Sequence, residues 1–496
     1  MVKEAFNNQK YLKIQRESIL KRISKFGDKL YLEFGGKLFD DYHASRVLPG
    51  FKSDSKLQML LGIKSKVEMI LVVNANDLIS NKIRNDTLIT YQEEVERLID
   101  MYREVGLFVS SVVISFFEDN VSINKFINKL ERNGIKVYRH YKINGYPHDI
   151  PLIVSEEGLG KNEYVKTTKP LVVVTAPGPG SGKMATCLSQ LYHDNKNGIR
   201  AGYAKYETFP VWNLSLNHPV NLAYEAATID LKDINMIDPF HLEAYGVTAV
   251  NYNRDVEVFP LLKNIFEKIY GSSPYNSPTD MGVNMVGFAI DNDKKVAEAC
   301  HREIIRRYYQ TRKSVYLGRL GEDSIEKMDM LLNKAGIKVS DRKVIEAAVS
   351  EADQKNEPSV AIELPNRKII TGHRSELFGA TAACLLNALK VLGKIDKDMY
   401  LLMPAVLEPM KELKVNFLHR SNARLRAEEV LLALSIQSKT NPLAERAIKQ
   451  LPKLIGCDAH SSTLLSEVDL QTLNRLGIRI TEEPISYKKK LFTRNS

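Results

Sequence analysis

Residues able to hold a phosphate gather in one run. Leu171 to Asp194 reads LVVVTAPGPGSGKMATCLSQLYHD. Its small apolar stretch, Leu171–Thr175, has the pattern of a buried strand, and Lys183 opens a segment of helical character. Strand, glycine loop, lysine and helix, in that order, are the context of a phosphate-binding P-loop. Glycines let the backbone wrap an anion, successive N–H groups converge on it, and the helix start adds partial positive charge. In this reading Gly178, Gly180, Ser181, Gly182 and Lys183 form a cofactor site. Lys183 also neutralises the charge that develops on a transferred phosphoryl group.

The run departs from GxxxxGK[ST] at two points. Pro177 stands at the first glycine and Met184 at the Ser/Thr. Pro177 and Pro179 have no N–H to donate. Met184 has no hydroxyl for magnesium. Thr186 lies two positions further on, about 200° around a helix, on the other face. Ser181 is therefore the candidate metal ligand of the loop. The simpler alternative is a tight turn carrying a surface lysine.

Such a loop needs a carboxylate at the end of a neighbouring strand. Asp230 and Asp291 each follow an apolar run. Asp291 is placed ahead, as catalytic and metal residue, because Met285–Ile290 reads as a strand; a helix cap or turn is the alternative for both. Thr279-Asp280-Met281-Gly282-Val283-Asn284 is a polar turn that could close over a ligand or be an ordinary loop. Arg46, in the polar segment Asp40–Arg46, could clamp an anion. His373 and Arg374, read as standing at a helix start near Ser375, could receive one too. These three are the candidate substrate contacts. Cys457 and His460 lie three residues apart in what reads as a polar loop, and the structural reading outweighs a catalytic or metal-binding pair.

Several absences narrow the chemistry. The chain has no HExxH, no GxSxG, no dinucleotide-type GxGxxG after a strand, and no kinase HRD and DFG set.

These residues need elements to position them. Val67–Val73, Phe108–Phe117, Ile135–His140 and Leu171–Thr175 alternate with helical stretches, which implies a parallel sheet with helices on its faces. Lys3–Phe26 carries one apolar helix face, and Phe34–Phe51 reads as a hairpin and exposed loop. The division expected is an α/β domain with the glycine loop (1–218), a mostly helical segment (219–313) and a C-terminal α/β domain (314–496). In the last, Val360–Leu364, Lys368–Thr371 and Met399–Met403 read as strands, and Ser375–Leu392 as a long helix.

With 44% hydrophobic and 26% charged residues, the 496-residue chain has a globular balance. Its formal charge of +10 favours anionic partners without singling out nucleic acid. The basic clusters Lys3–Lys25 and Lys488–Lys490 have no aromatic interleaving and read as solvated faces or tails. Four dispersed cysteines and the lack of an apolar leader or of a run of ~18 apolar residues point to a cytoplasmic protein. The expected partner is a small anionic ligand, with no nucleic acid or membrane, and self-association is left open.

The segments APGPGSGKMATCLSQLYHD, SPTDMGVNMVGF (Ser277–Phe288) and GCDAHSS (Gly456–Ser462) resemble a bacterial family, the domain of unknown function 1846, over nearly the whole chain. The resemblance implies a multidomain α/β protein with a helical middle segment. Some members carry the label ATP-dependent peptidase, which the missing peptidase motifs do not support here. The residues themselves favour an enzyme that binds ATP with magnesium in the loop and performs phosphoryl transfer or ligation on a small anionic metabolite, with chemistry in a cleft between domains. A non-catalytic sensor of a nucleotide or phosphometabolite is the alternative.

Overall fold

The structure, a computed structural model, describes residues 4–36, 38–39, 41–84, 89–420 and 422–486. Lys3, Asp40 and Lys488–Lys490 lie outside the described residues. Contacts divide the chain into two compact units, Met1–Cys300 and His301–Ser496.

The first unit is built on a seven-stranded parallel sheet. Its strands are β1 (Leu30–Phe34), β2 (Val67–Asn74), β3 (Phe108–Ser115), β4 (Lys136–Arg139), β5 (Leu171–Thr175), β6 (Gly202–Tyr206) and β9 (Gly282–Val283), in the order β4-β3-β2-β5-β1-β6-β9. The pair β7 (Asn235–Ile237) and β8 (Val250–Tyr252) forms a separate antiparallel ribbon. Strands covered on both faces are mainly apolar. In VEMILVV of β2 and LVVVT of β5 only Glu68 and Thr175 are polar, every residue of both runs is buried, and Glu68 Oε2 accepts from the Thr168 and Lys169 N–H groups. Helices between the strands begin where the sequence supplies caps. Thr90 and Glu93 form a capping box for Tyr91–Glu104, and Asn120 caps Val121–Arg132.

The second unit has a four-stranded mixed sheet, ordered β11 (Ile369–His373), β10 (Ser359–Glu363), β12 (Asp458–Ser461) and β13 (Arg479–Glu482). Helix Ala380–Leu392 buries Cys384, Leu385 and Leu389 in its core.

Five expectations need correction. Phe34–Phe51 is no hairpin: β1 pairs in parallel with β5 and β6, and Asp41 caps a short helix, Tyr42–Val47, while pairing with Lys56 at 2.9 Å. Met285–Ile290 is no strand. Side-chain oxygens of Gln15 and Asn284 take the N–H groups of Met285 and Val286, and Val286–Ala289 curls into a 3₁₀ turn. Met399–Met403 forms a turn before the helix that Pro404 opens. The helix expected from Ser375 starts at Ala380, because Ser375 closes a local turn with Phe378 and Gly379 bonds to Leu425. Cys457 and His460 flank and occupy a strand, β12, instead of a loop.

Candidate functional site

The order of the strands singles out β5. The chain runs from β1 to β2 and outward through β3 and β4, then returns to place β5 between β2 and β1, and continues the other way to β6 and β9. Right-handed crossovers in opposite directions leave from opposite faces of the sheet. The connection leaving β5 therefore runs the opposite way from those leaving its neighbours β2 and β1, and in open α/β sheets such a switch point, at the carboxyl ends of the strands, is where ligands bind. The glycine loop follows β5 and lies at that switch point.

Protein groups hold the loop from below. Asn74, the last residue of β2, donates through Nδ2 to the Gly180 carbonyl at 3.2 Å. Ser115, the last of β3, donates to the Ser181 carbonyl at 2.6 Å. Arg84 donates to the Pro177 carbonyl and pairs with Glu94 at 2.9 Å. Three carbonyl dipoles are thus satisfied from the protein side. Gly182 caps helix Lys183–Lys196 without a side-chain hydrogen bond, so the first N–H groups of a 14-residue helix have neither an intrahelical nor a capping partner. Its φ of +89° and a Cβ position 2.9 Å from that of Ser115 make it a true glycine position. A side chain at Gly178 would collide with the Tyr91 ring.

Ser181 is 1% exposed, and its Oγ has no hydrogen-bond partner among the described residues. Lys183 makes no ion pair with a described residue. Met184 packs against the hydrophobic core, which explains why a hydroxyl residue is missing there. Thr186 is buried, with its Oγ1 3.4 Å from His140 Nδ1. Burial lowers His140 to about 4, so this helix rests on a neutral imidazole at neutral pH.

A second constellation lies two strands away, about 10 Å at sheet spacing, and sequence reasoning missed it. Lys205 in β6 is 2.6 Å from Asp255 and 3.0 Å from Glu207, and also touches the Tyr252 hydroxyl. Tyr252 Oη donates to Glu207 at 3.1 Å, and Tyr203 Oη donates to Glu33 at 2.6 Å. Glu33 stands in register with both Val174 of β5 and Lys205 of β6. Burial would lower Lys205, but Asp255, Glu207 and Glu33 outweigh it and hold the ammonium above its ordinary value. Burial, reinforced by Asp255 and opposed by Lys205, raises Glu207 to about 7. A carboxyl near neutrality can exchange a proton at physiological pH. The available signal was GYAKYETF, a strand-like run with Lys205 and Glu207 on the same side of an otherwise apolar pattern.

The other candidates scatter. Arg46 lies in the last turn of the short helix Tyr42–Val47. Asp291 accepts from Asn7 Nδ2 at 3.3 Å. The strand expected to aim it at the loop is absent, and β9, eight residues earlier, is three strands from β5. The strands that do flank β5 end in Asn74 and Phe34. Thr279 is tied to Asp238 at 2.6 Å inside a capping-box turn, and Asp230 is exposed on a 3₁₀ turn. In the second unit His373 Nδ1 is 2.9 Å from Glu351, and Arg374 Nε donates to Glu357 at 2.6 Å. Cys457, just before the strand that holds His460, turns its Sγ to the Lys453 carbonyl at 3.5 Å. Burial raises the Cys457 thiol to about 11 and lowers His460, which bonds Thr481 at 2.8 Å. The two do not form a nucleophile–base pair.

Among the described residues no group of three or more His, Cys, Asp or Glu is arranged to hold a metal ion. No described helix is long and apolar enough to cross a membrane.

Comparison with known proteins places this architecture in a group. Residues 4–336 match Domain of unknown function DUF1846, N-terminal, and residues 340–492 match its C-terminal counterpart. A UPF0371 protein of Streptococcus pyogenes serotype M5 is 53% identical over 488 residues, 98% of this chain and 99% of the relative. A UPF0371 protein of Streptococcus thermophilus is 53% identical over 492 residues, 99% of this chain and 100% of the relative. One of Streptococcus pneumoniae is 52% identical over the same length and shares. The chain therefore belongs to the DUF1846 family, whose relatives bear the UPF0371 name.

Proposed function

We propose that the first unit binds a phosphorylated small molecule, with its phosphate on the Gly178–Lys183 loop and its polar remainder toward Glu33, Lys205, Glu207 and Asp255. The observation that carries this reading is Ser181. A buried hydroxyl without a partner costs about 1–3 kcal/mol, and this one sits in the loop before an uncapped helix at the switch point of the sheet. A phosphate oxygen would supply its acceptor, the helix start would supply N–H donors, and Lys183 the counter-charge.

The reading is enzymatic because an acid–base group follows the carboxyl end of β6, two strands or about 10 Å from β5 and its loop. Glu207, raised to about 7, is suited to take a proton from a substrate hydroxyl or return it. With ATP as the bound phosphate donor, that hydroxyl oxygen would attack the terminal phosphorus, its proton would pass to Glu207, and ADP would leave. The strands flanking β5 end without a carboxylate, so magnesium, if it accompanies the nucleotide, would be held chiefly by phosphate oxygens and Ser181.

Thermal unfolding of wild type, Ser181→Ala and Lys183→Ala tests the reading against ATP, ADP and inorganic pyrophosphate, each with and without magnesium. A ligand at a hundredfold excess over its Kd stabilises the fold by about 2.7 kcal/mol. The expected outcome is a shift in wild type that both variants reduce, with Ser181→Ala raising the ligand-free midpoint by removing the partnerless hydroxyl. No shift with any of the three would reduce the loop to a turn. A shift without turnover of any added metabolite would favour the sensor.

A further inference from the structure

Helix Ala427–Gln437 of the second unit is apolar on two sides. Val430, Ala433 and Leu434 are buried against its own core. On the other side Leu432 is 61% and Ile436 70% exposed. A helix that is hydrophobic all round is ordinarily covered all round. The exposed stripe reads Glu428, Leu432, Ser435, Ile436 and, just past the helix end, Lys439. It is acidic at one end, apolar in the middle and basic at the other.

That order is self-complementary. Two such helices packed antiparallel about a two-fold axis level with Leu434 place Leu432 of one opposite Ile436 of the other. The same operation sets Glu428 within one residue, about 1.5 Å of rise, of the level of Lys439 of the other. The arrangement also sets each helix start against the other's helix end, which complements their dipoles. A parallel pairing would bring Glu428 against Glu428 and Lys439 against Lys439. We infer that this face is the interface of a homodimer, with helix Ala427–Gln437 packed antiparallel against the same helix of a second copy.

One helix face supplies less than the roughly 800 Å² per partner of a standard interface. The segment Leu413–Phe417 extends it. Lys414 ties that segment to Glu429 in the first turn of the helix at 2.7 Å, and Phe417 and Leu418 are 73% and 56% exposed. The isologous symmetry makes each such residue count twice.

Sedimentation velocity of the full chain over a wide concentration range tests the inference. The wild type is expected to dimerise reversibly. Leu432→Asp with Ile436→Asp is expected to give a monomer, and circular dichroism shows whether it is folded. Charge reversal keeps the test decisive even if that variant misfolds. Glu428→Lys and Lys439→Glu change only exposed residues; each alone is expected to weaken association at least tenfold, and the double reversal to restore it. A wild type that stays monomeric throughout overturns the inference, whether the face then serves another protein or none. A dimer indifferent to both single reversals overturns the antiparallel pairing.

Discussion

Two strand–loop–helix turns in this protein looked alike as anion sites, and their surroundings separate them. One runs from Thr175 through the glycine loop to Lys183; the other runs from His373 to Ala380. The first follows a central parallel strand where the sheet connections diverge. Its carbonyls are tied down by Asn74, Ser115 and Arg84, and its lysine has no ion-pair partner among the described residues. The second follows an edge strand of a mixed sheet. His373 and Arg374 already face Glu351 and Glu357, and six residues separate His373 from the helix start. Positive residues near a helix start do not by themselves make an anion site. The first turn differs because topology places it at the switch point of the sheet and because the Ser181 hydroxyl and the start of its helix are left without side-chain partners.

The sharpest way to break this comparison is to add one methyl group to each turn. Gly182→Ala forces a side chain into a left-handed conformation and against Ser115 Cβ. It is expected to cost about 2–4 kcal/mol, read by denaturant unfolding. Gly379→Ala has an ordinary φ of −64° and its nearest neighbour at 3.6 Å, so it is expected to cost under about 1 kcal/mol. Equal costs would remove the distinction.

Affinity sharpens the comparison next. Lys183→Ala is expected to weaken pyrophosphate binding at least tenfold, about 1.4 kcal/mol, whereas Arg374→Ala leaves it unchanged. Calorimetric titration of both variants decides, and a loss in Arg374→Ala would move the site.

The last test concerns Glu207. Its carboxyl is raised from 4.5 to about 7 in the folded state, so the folded protein holds this proton more tightly than the unfolded chain. The stability this contributes is fully present below pH 4.5 and is lost as pH rises through about 7. Glu207→Gln, neutral at every pH, is expected to raise the unfolding midpoint relative to wild type at pH 8 and to leave it nearly unchanged at pH 5. A pH-independent difference would show that Glu207 carries no such penalty.

Much of the first sheet was legible. Leu171–Thr175 and Val67–Val73 are short, mostly apolar and rich in β-branched residues, broken only by Glu68 and the terminal Thr175, which is the pattern of a strand covered on both faces. The short strands β7 and β8 were not legible, because three-residue runs have no period to detect. Met285–Ile290 misled because it is apolar enough for a strand, while Gln15, from a distant helix, claims the backbone N–H that a ladder would need. Of the site, the loop residues could be read from glycine spacing. Lys205, Glu207 and Asp255 could not, since their meaning depends on which strand lies beside which.

The sequence alone therefore determined the local pieces: a parallel α/β sheet, a glycine loop leading into a helix, and a lysine at its start. These follow from periodicity and backbone freedom, which act over a few residues. Tertiary structure alone decided that β5 sits between β2 and β1, that Ser181 is buried without a partner, and that Glu33 and Lys205 meet in register. The physical reason is that burial and charge coupling depend on neighbours in space. Asp255 reaches Lys205 from 50 residues away in the chain, and no local pattern encodes that approach.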